Sequence, residues 1–264
     1  MEQLGEEKVV RRTAQAISYE ASIANVMRRQ FEQQRIEILA NLDPSKITKS
    51  YTRKDYLDDL IDWERSTDDM RQAVQPTIVS ILYATGMDAM QDAGLDPSAY
   101  DPFTPAIREY FQNRSLVIAE DVNAETAKQL RAALSQGVQA GLSVSELRAM
   151  VEDIMGYASM ARADRIASYN VTAAQSFADI QAWLQSGVVA AKEWFTAGDE
   201  RVCPGCMDMH GKRIPLEDNF FDKGETLTVD RGDKPAYKLK FSYEDIPGCP
   251  LHVSCRCVLL PVRI

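Results

Sequence analysis

The most specific chemistry in this sequence lies in two short clusters near its C-terminal end. The first reads Cys203-Pro204-Gly205-Cys206 and the second His252-Val253-Ser254-Cys255-Arg256-Cys257, with a long insert between them. A Cys-x-x-Cys pair closing on a tight Pro-Gly turn sets two thiolates along one edge of a tetrahedron, and a second pair of soft or borderline donors completes the four ligands of a zinc ion. His252 and Cys255 lie three apart and can share one turn, whereas Cys255 and Cys257 lie two apart and would face the same way on a strand. The expected set is Cys203, Cys206, His252 and Cys255, with Cys257 as a substitute for either of the last two and Cys249 as a more remote candidate. All five cysteines fall in the last quarter of the chain. In a reducing compartment that clustering argues for metal rather than disulfides. More donors than a tetrahedron has corners points to a closed structural Zn2+, one per chain. A catalytic ion would keep an open position and a general base beside it. Arg256, between two candidate ligands, is placed to donate hydrogen bonds to thiolates or carbonyls around the ion. His210, the only other histidine, reads as a solvated turn residue.

The elements that must position these donors divide by character. Residues 6–42 hold no proline or glycine, and Val10, Ile17, Ala24, Phe31 and Ile38 recur every seventh position. This predicts a long helix with an apolar seam, interrupted by Arg28 and Arg35. The seam either packs in its own bundle or docks on a partner. For docking, Val10, Ile17, Arg28, Phe31, Arg35 and Ile38 are the candidate contacts, the two arginines setting register against acidic residues of a partner helix. A second helix is expected over 52–75, broken or restarted at Pro76, and a third over 77–93 ending at Gly94. Pro105 suits a helix start, Asn123 reads as the cap of a helix over 124–140, and Ser143-Val144-Ser145-Glu146 has the spacing of a capping box. A last long helix should run from Gly156 to Gly187. Short β-rich segments follow at 192–196, 212–215, 227–229, 237–241 and 258–262. The fold class is therefore mainly α: a helical body with long helices, then a small C-terminal α+β zinc-binding module. The expected divisions are 1–104, 105–187 and 188–264. The last has too few apolar side chains to stand without its metal.

Bulk composition excludes several functions. The 30 Lys+Arg against 39 Asp+Glu give a net charge of -9, so no general positive field exists to gather nucleic-acid phosphates. From residue 194 onward the count is 10 Lys+Arg to 11 Asp+Glu, which leaves the zinc region without a basic face. Direct sequence-specific nucleic-acid binding is not expected. No apolar run approaches the roughly 20 residues needed to cross a bilayer, and the N-terminal residues lack the basic-then-apolar order of a signal peptide. These features point to the cytoplasm, or to a particle assembled there.

Taken together, Trp194, Asp199, the Cys-Pro-x-Cys at 203–206, Gly211, the His-x-x-Cys-Arg-Cys at 252–257 and the apolar tail 259–262 resemble the C-terminal pattern of the phage Mu F-like head-morphogenesis proteins. Upstream, Asn123 and Thr126, the Gly141-to-Ser143 hinge and the stretch 162–167 are similar to the same family, so the resemblance covers about residues 115–264. The chain departs from it at Ala167-Ser168-Tyr169-Asn170, where the family often reads Ala-Arg-Thr-Glu. The resemblance implies a non-enzymatic minor capsid protein of a tailed phage or prophage, found in the virion or procapsid and in the host cytoplasm during assembly. Its implied partners are the portal protein and other head proteins, and its implied task is head assembly or DNA delivery. Two enzymes are the rival readings. An ADP-ribosyltransferase would need two glutamates one residue apart, and no Glu-x-Glu occurs. A zinc-dependent nuclease would need a histidine base beyond the one used as a ligand.

Overall fold

A computed structural model describes residues 2–42 and 55–263 of the chain. Helix α1 spans Glu2–Asn41, and the heptad seam is buried only over its C-terminal part. Ala24, Phe31 and Ile38 are buried, but Val10 and Ile17 are 71% and 67% exposed. The face at that end carries Lys8 and Arg12 instead, at 0% and 3% exposure. Residues 1–20 and 21–41 belong to different compact units, so each part of α1 buries its own face.

The sequence-predicted helix over 52–75 lies partly outside the described residues. Within them, α2 covers Asp55–Asp58 and α3 runs Trp63–Asp92 with Pro76 inside it. The expected break is therefore corrected: Met70, Val74, Ile78, Ile81 and Leu82 continue one buried face across Pro76. The packing on both sides outweighs the one backbone hydrogen bond that proline forfeits. Helix α3 ends as the sequence implies, on Gly94 at φ 72°. There the Leu95 N–H donates to Met90 O at 2.9 Å and the Gly94 N–H to Gln91 O at 2.9 Å, a Schellman closure. A 3-10 turn over Pro97–Ala99 then delivers Tyr100, whose ring lies where a Cβ on Gly86 would sit.

Helix α4, Pro105–Gln139, also runs through its predicted cap. Asn123 is buried mid-helix and its amide serves other partners. It accepts from Gln34 Nε2 at 2.7 Å and donates to Thr67 Oγ1 at 2.8 Å. An amide that is satisfied by neighbouring helices has no need of the backbone, so the capping role is lost. Helix α5, Val144–Met155, does open on the predicted capping box. The Glu146 N–H donates to Ser143 Oγ, and the Ser143 N–H to the Glu146 carboxylate. Helix α6, Tyr157–Ser186, stops at Gly187.

All five predicted β segments form strands: β1 (Val189–Phe195), β2 (Arg213–Pro215), β3 (Thr226–Arg231), β4 (Lys234–Lys240) and β5 (Val258–Arg263). Antiparallel pairing gives a three-stranded sheet in the order β2-β1-β5 and a separate β3-β4 hairpin. Helix α7, Pro204–Met209, lies between β1 and β2.

The chain forms two compact units, each discontinuous in sequence. One gathers residues 1–20, 78–108 and 167–264; the other gathers 21–77 and 109–166. In the first, Phe195, Val258 and Leu260 make a core with Leu4 and Val9 of α1, and a buried ionic cluster lies nearby in sequence. Lys8 Nζ sits 2.9 Å from Asp179 Oδ2 and 3.1 Å from Asp92 Oδ2. Arg12 donates to Asp179 Oδ1 at 2.8 Å and to Thr85 O at 3.3 Å, and Arg11 to Asp92 at 2.5 Å. Burial alone would raise the Asp92 pKa, yet Lys8 and Arg11 hold it below the usual carboxylate value. In the second unit, Arg162 lies over the Phe31 ring and donates to Val122 O at 2.6 Å and Thr126 Oγ1 at 2.9 Å.

Candidate metal centre

Local structure explains how each donor is placed. The Cys-Pro-Gly-Cys segment was expected to be a tight turn, but it is the first turn of α7 with Pro204 at its opening position. The fixed φ of proline suits that position, where no backbone donor is missed. Cys203 is the N-cap, its Sγ accepting the Cys206 N–H at 3.3 Å. Gly205 is required for packing. A Cβ there would meet the Tyr237 ring at 2.8 Å and Leu227 at 3.1 Å, so only glycine lets the β3-β4 hairpin close over the helix. The second cluster is a turn closed by the Cys255 N–H on His252 O at 3.2 Å, with Ser254 at φ 62°. His252 and Cys255 do share one turn, and Cys255 to Cys257 lead into β5 without being part of it.

Two triads of ligand atoms result: Cys203, Cys206 and His252, and Cys206, Cys255 and Cys257. Within each, all the atoms lie within 4.8 Å of one another, and Cys206 is common to both. His252 Nε2 is 3.1 Å from Cys203 Sγ and 3.3 Å from Cys206 Sγ, and the Cys206 and Cys255 sulfurs are 3.7 Å apart. The sides of a tetrahedron built on Zn–S of about 2.3 Å and Zn–N of about 2.0 Å are roughly 3.8 Å for S···S and 3.5 Å for S···N. The donors fit a soft divalent ion in type and each triad comes near its spacing, but Cys255 clusters with Cys206 and Cys257 and not with Cys203 and His252. The tautomer fits as well. His252 Nδ1 is 2.7 Å from the Val253 carbonyl, so with the proton on Nδ1 the Nε2 lone pair faces the sulfurs. A cavity of about 20 Å³ adjoins these side chains, the size of one small guest.

Electrostatics couples the thiols to one another. Burial raises the Cys203 thiol pKa, but the Cys206 N–H and the adjacent imidazole bring it below the ordinary value. The Cys255 thiol is held well down by hydrogen bonds from Cys206, Cys249 and Cys257. Cys206 is pushed up by donating to Cys255 and Cys257, and Cys249 chiefly by burial. Neighbouring sulfurs thus share protons because they cannot all ionise together. A divalent cation at their centre would let them do so.

Arg256 does not reach the thiolates. Its guanidinium grips Asp199 through two bonds of 2.6 and 2.8 Å, which draws the Asp199 pKa down to about 2 and ties the 199–203 loop to the second cluster. His210 is exposed, as expected, with Nδ1 accepting the Thr196 N–H at 3.2 Å. Trp194 is fully buried, edge-on to Phe220. Tyr237 was not foreseen. Its hydroxyl lies 3.8 Å from Cys203 Sγ, and no spacing in the sequence links a β4 tyrosine to a cysteine 34 residues earlier.

A model of the family described as phage Mu protein F like protein matches residues 128–260, half of the chain. The chain belongs to this family of head-morphogenesis proteins. No curated protein and no solved structure is matched. The matched span contains α5, α6, β1 to β4, the first half of β5 and every residue of the Cys/His cluster. In this Mu F-like chain two of the three upstream motifs meet, since Arg162 of one binds Thr126 of another and the neighbouring Val122 O. Of the six candidate partner contacts on α1, Phe31 and Ile38 are core residues. Arg28 pairs with Asp164, and Arg35 with Glu32 and Glu152. Val10 and Ile17 alone among the six present open apolar surface.

Proposed function

We propose that this Mu F-like protein is a structural minor head protein of a tailed phage or prophage, which associates with the portal and procapsid and supports head assembly or DNA delivery. The family match over residues 128–260 carries this reading. In it, one Zn2+ held by Cys203, Cys206, His252 and Cys255, with Cys257 as substitute, fastens α7 and the β3-β4 hairpin to β5. The role is architectural: the donors are mostly buried, and the His210 ring nitrogen that faces the chain is occupied by Thr196. The acidic balance of the chain favours protein partners over DNA. Among the described residues no helix is long and apolar enough to cross a membrane.

Attachment falls to the exposed strip of α1 that includes Val10 and Ile17. Deleting α1 would remove core side chains and the partners of Asp92 and Asp179, so a surface change is the cleaner test. A Val10→Asp/Ile17→Asp protein should fold normally, by circular dichroism and melting, and should no longer co-purify with portal-containing procapsids. Normal incorporation of this variant would refute the docking role.

A further inference from the structure

The insert between the two donor clusters builds a hairpin with a definite inner face. In the β3-β4 register Leu227 lies opposite Leu239, and Val229 opposite Tyr237. These four are buried or half-buried, while Thr226, Thr228, Lys238 and Lys240 alternate with them and are exposed. Alternation along paired strands turns Tyr237 and Leu227 to one side, and that side covers Gly205, between Cys203 and Cys206. The Tyr237 ring sits over that glycine and carries its hydroxyl to 3.8 Å from Cys203 Sγ, as a hydrogen-bond donor.

Cys203 is the cysteine with most need of such a partner. It is half-buried, whereas Cys206, Cys255 and Cys257 are buried. The thiolate is the nucleophilic form of cysteine, so an electrophile or a proton arriving from solvent meets Cys203 first. Three thiolates and an imidazole around a divalent ion also leave one negative charge, which is costly in a partly buried centre. The Cys206 N–H already donates to the Cys203 sulfur at 3.3 Å, and the phenol adds a second donor that keeps its proton at neutral pH. Partners of this kind orient a metal ligand and set its basicity.

We propose that Tyr237 is a positioning residue of the metal centre: its hydroxyl donates to the Cys203 thiolate, tightens the hold on the ion and shields the sulfur from electrophiles. This rests on the metal-site reading above and deepens it. It also gives the hairpin a task that packing alone does not require, since phenylalanine would cover Gly205 equally well.

The test compares full-length wild type with Tyr237→Phe, which keeps the ring over Gly205 and removes only the hydroxyl. In the zinc-loaded proteins, affinity is measured by competition with a chelator, and iodoacetamide labelling is followed at each cysteine by peptide mass spectrometry. In the cobalt-loaded proteins, the thiolate-to-cobalt charge-transfer band is recorded. Loss of the hydroxyl should weaken zinc binding about tenfold, the lower end of the usual scale for a partner of a metal ligand. It should also speed labelling of Cys203 above the other cysteines and move the cobalt band to longer wavelength, with circular dichroism unchanged. Tyr243→Phe is the comparison, because that hydroxyl donates to the Leu251 carbonyl at 3.0 Å; it should leave all three readings at wild type. If Tyr237→Phe moves neither the band nor the labelling rate, this proposal is overturned and the metal site stands. Equal changes in the two variants, or a Tyr237→Phe protein that loses its circular dichroism, would also overturn it by showing a purely structural role. Wild-type protein that binds neither zinc nor cobalt would overturn the metal site itself, and this proposal with it.

Discussion

Two regions of the same compact unit bury polar groups in opposite ways. Around Lys8, three cations (Lys8, Arg11, Arg12) meet three carboxylates (Asp88, Asp92, Asp179), so the cluster neutralises itself and requires nothing from outside the chain. Around Cys206 the groups are all of one kind. Thiols and an imidazole lie within bonding reach of each other, and ionising one opposes ionising the next. Opposite charges close a buried site by themselves, whereas clustered donors could hold a cation.

The largest effect should come from removing a shared sulfur. Cys206→Ser takes one corner from the metal site, and structural zinc contributes on the order of 10 kcal/mol to small folded units. The variant should lose bound zinc and the near-ultraviolet signal of Trp194, while most helical ellipticity remains. Retention of zinc at the wild-type level would break the contrast between the two regions.

Next in size, Asp179→Asn withdraws a charge that serves both Lys8 and Arg12. Breaking a buried pair from one side costs about 3–5 kcal/mol, measurable by urea unfolding. Removing both members of a pair, Lys8→Met with Asp92→Leu, should cost much less because no buried charge is left alone. Equal losses in the two variants would show that this cluster is not self-contained.

Lys192 sharpens the comparison with the smallest effect. It is buried in the sheet, where its Nζ donates to the Leu216 carbonyl at 2.8 Å. Burial lowers its pKa to about 8, with Asp218 opposing the shift. The folded pKa lies below the unfolded value near 10.5, so the unfolded chain binds the extra proton between these pH values. Stability should therefore rise as pH increases from about 8 to 10. Lys192→Met should abolish that rise and stay within about 1 kcal/mol of wild type at pH 7, because the lost hydrogen bond offsets the relief of desolvation. An alkaline rise that persists in the variant would assign it to another group.

The sequence made legible whatever depends on neighbours along the chain. The capping box at Ser143, the Gly94 stop and all five strands follow from local residue chemistry. So does the meeting of His252 with Cys255, which needs a single turn. What it hid depends on distant partners. The asparagine at 123 has the composition of a cap, but Gln34 and Thr67 claim its amide. Pro76 looks like a break until residues on both of its flanks are seen to be buried. Nothing in the sequence marks Lys8 as buried, because Asp92 and Asp179 lie 84 and 171 positions away. The heptad holds at Ala24, Phe31 and Ile38 and fails at Val10 and Ile17, where α1 belongs to the other unit.

Hydrogen exchange with and without a strong zinc chelator tests the central claim most directly, namely that a metal on the Cys/His cluster holds the C-terminal strands of this Mu F-like protein in place. Chelation should remove bound zinc and collapse protection across 189–263, while residues 21–41 and 109–155 keep theirs. Protein that carries no zinc as purified, or that exchanges identically before and after chelation, would contradict it.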